Sequence, residues 1–168
     1  NRKQRGMSNK MSAQPNVLAV IPARYASTRF PGKPLAKICG KPMIQHTYEQ
    51  TCEAGLVSNV VVATDDARIA DCVAGFGGNA IMTSADHQTG TDRIAEAVES
   101  FPGAEWILNV QGDEPLISPA TIDNLIEQTT SRDIPFGTIA VPFSRTTRDP
   151  ADPNCVKVVT DLHNRALY

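Results

Sequence analysis

From residue 17 onward, short apolar runs alternate with longer stretches of helical period, and no other feature of the chain constrains its fold as tightly. The runs at 17–21, 60–63, 80–82 and 106–110 are brief and partly β-branched, as strands buried on both faces should be, and they are the candidate central strands. Between them, residues 43–55, 67–76 and 92–101 place apolar side chains on one face, for example Ile69, Val73 and Phe76, or Ile94, Val98 and Phe101. Strands joined by helices require crossovers. The expected fold class is therefore α/β, a three-layer sandwich around a mostly parallel, Rossmann-like sheet. A further helix is expected with Ser118 as N-cap and Pro119 in its first position, burying Ile122, Leu125, Ile126 and Thr129.

After residue 132 the pattern changes to apolar runs at 138–141 and 156–160, a polar turn at 161–164 and a new run at 165–168. The last piece reads as a hairpin whose return strand has just begun. A strand left without cover is an open edge, so the chain as given is expected to lack its C-terminal portion. With 168 residues and 41% hydrophobic content, there is material for one core and not for two full-sized domains. The expected division is a tail or remnant over 1–16 and one nucleotide-binding α/β domain over 17–168. The tail is basic and polar and lacks the apolar segment of a secretory signal.

Sixteen basic residues against eighteen acidic ones offer no broad footprint for nucleic acid or an anionic membrane, so an anionic ligand must be held by a local cluster. No stretch approaches the roughly 18 apolar residues that cross a bilayer. The four cysteines, Cys39, Cys52, Cys72 and Cys155, form no Cys-x-x-Cys pair and read as buried or partly buried thiols of a soluble cytoplasmic protein.

Ligands of open α/β sheets bind beyond the carboxyl ends of the strands, and three segments there are chemically unusual. The first, I-P-A-R-Y-A-S-T-R-F-P-G-K-P at 21–34, gathers Arg24, Arg29, Lys33, the hydroxyls of Ser27 and Thr28, and a glycine in one loop. Guanidinium forks, an ammonium and free amides together can neutralise phosphoryl oxygens and a departing pyrophosphate. A solvated basic turn is the plain alternative, but Pro22, Pro31 and Pro34 stiffen the loop, and rigidity has no use in such a turn. Neither G-x-x-x-x-G-K-[ST] nor G-x-G-x-x-G occurs, which weighs against ATPase and dehydrogenase readings.

The second segment, N-V-Q-G-D-E-P at 109–115, follows a strand and offers Asp113 and Glu114 beside a glycine. A strand-end aspartate suits Mg²⁺, which takes one or two protein carboxylates and completes its shell with water and substrate phosphates. A turn that merely caps amides explains the segment equally well in isolation; a polycationic loop opposite tips the balance to Asp113 as a metal ligand. The third segment, residues 83–93, is rich enough in donors and acceptors to read a base and ribose, with Gln88 and Thr91 as candidates. Capping of the next helix by Thr91 or Asp92 explains much of it and leaves His87 and Gln88 unaccounted for. Residues 64–66 read as a cap for the helix from Ala67, and His46 and His163 as surface residues.

With these segments in place, the chain resembles the 3-deoxy-manno-octulosonate cytidylyltransferases, or CMP-Kdo synthetases, from Val17 to Tyr168. The resemblance is carried by the 21–34 loop, A-T-D-D at 63–66, A-D-H-Q-T-G-T-D-R at 85–93, N-V-Q-G-D-E-P at 109–115, V-K-V-V at 156–159 and A-L-Y at 166–168. It implies a fold of the nucleotide-diphospho-sugar transferase type and transfer of a cytidylyl group from CTP to Kdo, with release of pyrophosphate, in lipopolysaccharide biosynthesis. Arg24, Ser27, Arg29 and Lys33 match the triphosphate-binding loop, Asp113 the magnesium-binding aspartate and Gln111 a position facing the sugar. Arg24, Lys33 and Asp113 are the implied catalytic residues, and the implied assembly is a homodimer at full length. The chain departs from the pattern at Ser84, where many relatives carry arginine after the threonine. The family also runs on for roughly eighty residues beyond A-L-Y, a length still compatible with one domain. A CMP-sialate-type or other sugar nucleotidyltransferase, and a non-catalytic nucleotide-binding fragment, are the alternatives.

Overall fold

A computed structural model of the chain describes residues 14–26, 30–132 and 134–168. Four parallel strands, β1 (Val17–Ala23), β4 (Asn59–Thr64), β5 (Ala80–Met82) and β6 (Trp106–Asn109), form one sheet in the order β5-β4-β1-β6. Two short antiparallel strands, β2 (Lys37–Ile38) and β3 (Lys41–Pro42), make a separate hairpin that the apolar pattern did not announce. Its tip, Cys39 and Gly40, has φ of 48° and 85°, the left-handed backbone that tight hairpins use.

β1 is the centre of the molecule. Its side chains alternate between two cores: Ala19, Ile21 and Ala23 meet Ile44 and Tyr48 of α1 (Met43–Cys52) and Ile69 and Val73 of α2 (Ala67–Gly75). Leu18 and Val20 face the other way, against Ile94 and Ala97 of α3 (Gly90–Val98). Right-handed crossovers account for this division. The chain steps outward from β1 through β4 to β5 with α1 and α2 on one face, and α3 must then carry it back over the opposite face to reach β6. The helix α4 (Pro119–Thr130) buries Ile122 and Ile126 with Val17 and Ala54, and the Asp123 carboxylate accepts the Gly55 and Leu56 amides at 3.1 and 2.8 Å.

Three expectations need correction. Only β1 and β4 are buried on both faces; β5 and β6 are edges among the described residues, and Met82 and Ile107 are 53% and 41% exposed. The expected hairpin has no strand at 156–160, and the apolar run at 138–141 forms none either: among the described residues no layer covers Val156 and Val141, 97% and 65% exposed. The hairpin at the end survives as one antiparallel bridge, Thr160 with Ala166, around a turn in which Asp161 accepts from Arg165 Nε at 2.7 Å. Third, Cys39 and Cys52 are exposed, at a hairpin tip and a helix end, rather than buried.

The expected tail falls mostly on residues 1–13, outside the described residues, while Asn16 is already part of the fold. Its side chain donates to the Gly103 carbonyl at 2.7 Å, and its carbonyl accepts the Glu105 amide at 2.9 Å. Among the described residues no helix is long and apolar enough to cross a membrane.

Ile69 is fully buried between α2 and the sheet, so Ile69→Ala should cost about 2–5 kcal/mol in urea unfolding. Leu162→Ala, at a fully exposed position, should stay within about 0.5 kcal/mol of the parent. Equal losses at both sites would contradict this assignment of the core.

Candidate functional site

Consecutive crossovers leave β1 in opposite directions, toward β4 on one side and β6 on the other, so the crevice at their carboxyl ends is the switch point where α/β sheets bind ligands. The 109–115 segment enters this crevice because of Gly112. A Cβ there would stand 3.1 Å from the Pro22 carbonyl oxygen and 3.5 Å from Ile44 Cδ1, so a bulkier residue would push the turn away from β1. The Gly112 carbonyl accepts the Thr47 hydroxyl of α1 at 3.3 Å, which fixes the turn from the other side.

On the facing loop, the Gly32 amide donates to the Tyr25 carbonyl at 2.9 Å, closing the excursion that leaves β1. Gly32 has φ 71°, and a Cβ there would lie 2.9 Å from the Tyr25 ring. That ring is covered by the Arg68 guanidinium, 3.3 Å from the ring centroid, and Arg68 is itself held by both carboxylate oxygens of Asp66. The loop therefore returns at a defined place, where Lys33 opens a 3-10 turn (Lys33–Leu35) over the buried Pro34.

These two turns bring Lys33 and Asp113 together across 80 positions of sequence: Lys33 Nζ donates to Asp113 Oδ2 at 2.6 Å. The side chains are 39% and 51% exposed, so the pair contributes at most about 1 kcal/mol and opens at little cost. Asp113 Oδ1 makes no hydrogen bond among the described residues. Arg24 follows β1 directly, is exposed and forms no ion pair among the described residues. Gln111 donates from Nε2 to Asn109 Oδ1 at 3.1 Å. It also lines a cleft of about 600 Å³ that runs between β6, α4 and residues 135–141; Arg24, Lys33 and Asp113 stand outside that cleft. Ser27 and Arg29 lie outside the described residues. Among those described, no group of three or more His, Cys, Asp or Glu could hold a metal by itself. A lone half-exposed carboxylate with a free oxygen fits only a cation whose remaining ligands are water and phosphate, as Mg²⁺ commonly is.

The 83–93 segment also ends at this rim. Gly90 begins α3 beside β1, where a Cβ would be 3.4 Å from Pro22 Cγ. Neither Thr91 nor Asp92 is the cap: Thr89 accepts the Asp92 amide, and the Asp92 carboxylate accepts the Thr89 amide at 3.1 Å, a reciprocal capping box. Gln88 Nε2 donates to the Asp86 carbonyl at 3.0 Å, and both Gln88 and Thr91 are exposed. His87 is accounted for by Glu96, whose Oε2 meets His87 Nε2 and accepts the Ser84 amide at 2.9 Å. Asp66 caps α2 as expected, accepting the Arg68 amide at 3.0 Å. His46 is half-buried rather than a free surface residue, with Nε2 at 2.8 Å from the Ile38 carbonyl, joining α1 to the β2–β3 hairpin.

Sequence reasoning missed the network behind this rim. Arg93 is the one buried charged residue among those described, donating to Thr83 Oγ1 and, at 3.0 Å, to Asp65 Oδ2. The signal was present: Arg93 stands four positions before Ala97, on the apolar stripe that faces the sheet. Tyr25 and Arg68 gave no comparable sign, since a cation–π contact between separate segments has no sequence period.

Parallel strands, helices on both faces and a crevice at the switch point define a doubly wound type of α/β fold. The family model described as cytidylyltransferase matches residues 18–168, and the chain belongs to that family. It is 61% identical over 154 residues to the 3-deoxy-manno-octulosonate cytidylyltransferase of Geobacter sulfurreducens, covering 91% of this chain and 61% of that protein. The enzyme of the same name from Syntrophobacter fumaroxidans is 52% identical over 155 residues, covering 90% of this chain and 62% of the relative. Among solved structures, a CMP:2-keto-3-deoxy-manno-octonic acid synthetase complexed with CTP is 44% identical and superposes with a TM-score of 0.79, over 91% of this chain and 63% of that one. The chain thus spans about three-fifths of the length of these relatives.

Two outcomes follow from this geometry. Gly32→Ala should cost about 1–3 kcal/mol in denaturant unfolding, through its left-handed backbone and the clash with Tyr25; a neutral result would show that the loop closes differently. The Ser84 amide first, and His87 second, hold the Glu96 carboxyl below its usual pKa. Its contribution is complete above the unfolded glutamate pKa of about 4.3 and is lost as pH falls through the lower folded value. The stability gap between parent and Glu96→Gln should therefore be flat near neutral pH and narrow below about pH 4.3, read as urea midpoints; a gap unchanged into strong acid would contradict the contact.

Proposed function

We propose that the chain is the nucleotide-binding part of a CMP-Kdo synthetase, which transfers the cytidylyl group of CTP to Kdo and releases pyrophosphate. The observation that carries this reading is the Lys33–Asp113 pair at the β1/β6 switch point. In support, the pair offers an ammonium and a carboxylate at the ligand crevice, in a chain similar to relatives of that name. A solved neighbour bound to CTP supports the choice of nucleotide.

In the proposed reaction the anomeric hydroxyl of Kdo attacks the α-phosphorus of CTP. A new anomeric oxygen–phosphorus bond forms, the bond from the α-phosphorus to the oxygen bridging the β-phosphorus breaks, and the hydroxyl proton leaves to water. Arg24 and Lys33 receive the charge that accumulates on the departing pyrophosphate, and they act by position because their loop is already closed by Tyr25 and Gly32. Lys33 would turn from Asp113 to phosphate oxygen, and Asp113 would then hold Mg²⁺. When bound, the metal supplies neutralising charge at the phosphate oxygens. In this reading Gln111, which lines the neighbouring cleft, would face the sugar, and the exposed Gln88 and Thr91 would face base and ribose. Ser27 and Arg29 belong to the triphosphate loop in the same reading. Homodimer formation at full length and a cytoplasmic setting rest on the family resemblance.

Calorimetric titration of CTP should show binding that magnesium strengthens, and Asp113→Ala should remove most of that strengthening while leaving the thermal unfolding midpoint nearly unchanged. Lys33→Ala should weaken CTP binding by tenfold or more, as loss of a charge-assisted contact does. Asp113→Ala protein that still responds fully to magnesium would sink the metal assignment.

A further inference from the structure

Arg93 plays no part in the reaction described above, yet its side chain is only 4% exposed and its Asp65 partner 18%. A buried ion pair is seldom a net gain in stability over apolar residues, so its burial calls for a different account. Its fork joins three segments. Asp65 follows β4, Thr83 follows β5, and Arg93 itself lies in the first turns of α3. Thr83 is further tied to β4 by its amide, 2.8 Å from the Thr64 carbonyl.

The loop 84–89 is thus anchored where it leaves β5 and where it enters α3. Glu96 holds it at Ser84 and His87, and Gly90, the first residue beyond it, lies close to Pro22 at the end of β1. A small rotation of α3 would move Gln88 and Thr91 relative to β1, and the Arg93 fork opposes that rotation from beneath.

We infer that Arg93 is a positioning residue for nucleotide binding: its fork sets residues 84–92 against the end of β1, so that the rim for base and ribose exists before the ligand arrives. This rests on the nucleotide reading of the site. Lysine keeps the charge but not the planar fork that serves two acceptors at once.

In Arg93→Lys, hydrogen exchange of the amides in 84–92 should accelerate at least tenfold while β1 amides are unchanged. CTP affinity should fall at least tenfold in protein that is fully folded at the assay temperature. Asp65→Asn should move both quantities in the same direction. If Arg93→Lys does not fold, Thr83→Val, which removes only the hydroxyl acceptor, carries the same two readouts. A purely structural role would lower the thermal midpoint and leave the affinity of folded protein alone. Unchanged exchange, or faster exchange with CTP affinity within twofold of the parent, overturns the inference. Parent protein that binds no CTP would overturn the nucleotide reading, and with it the ligand half of this one, whereas the exchange readout judges the positioning half without ligand.

Discussion

At the carboxyl end of β1, backbone meets backbone so closely that only a residue without a side chain fits comfortably. Gly112 approaches the Pro22 carbonyl to the point where a Cβ would stand at 3.1 Å, and this approach sets where the turn after β6 can lie. From it follows the meeting of Lys33 and Asp113, which no local segment could bring about. From the parallel pairing of β1 with both β4 and β6 follows the crevice itself. The same end of β1 receives α3 at Gly90, so the basic, acidic and polar loops all converge on one strand.

The site is stiff where it is buried and easily opened where it faces solvent. Behind it stand Ile44 and Ile69, fully excluded from water, and the Arg93 network, nearly so. In front stands an exposed ion pair whose two members satisfy each other until something more strongly charged replaces them. That division suits the proposed phosphoryl transfer, in which a protein contributes chiefly prearranged charge rather than covalent chemistry.

Much of this was legible in the sequence. The β-branched run that becomes β1 and the apolar stripes of α2 and α3 have the periods of their structures, because burial on two faces or one imposes those periods. Cations at 24 and 33 and a carboxylate at 113 could be seen as complementary before any contact was known. What escaped depends on neighbours distant in sequence: Arg93 with Asp65, Arg68 over Tyr25, and Glu96 between Ser84 and His87. The closing hairpin is legible only as a turn and one bridge, because a strand also needs a layer to cover it, and Val156 of its first arm, like Val141 in the apolar run before it, has none among the described residues.

The central claim is that nucleotide binds at the β1/β6 switch point and not in the apolar cleft beside β6. Mapping backbone amide shifts during a titration with CTP and magnesium tests it most directly. The account predicts that the largest changes fall at 24–33 and 111–114, with further changes at 88–91. Changes confined to the cleft walls, around Leu125 and residues 135–141, would contradict it.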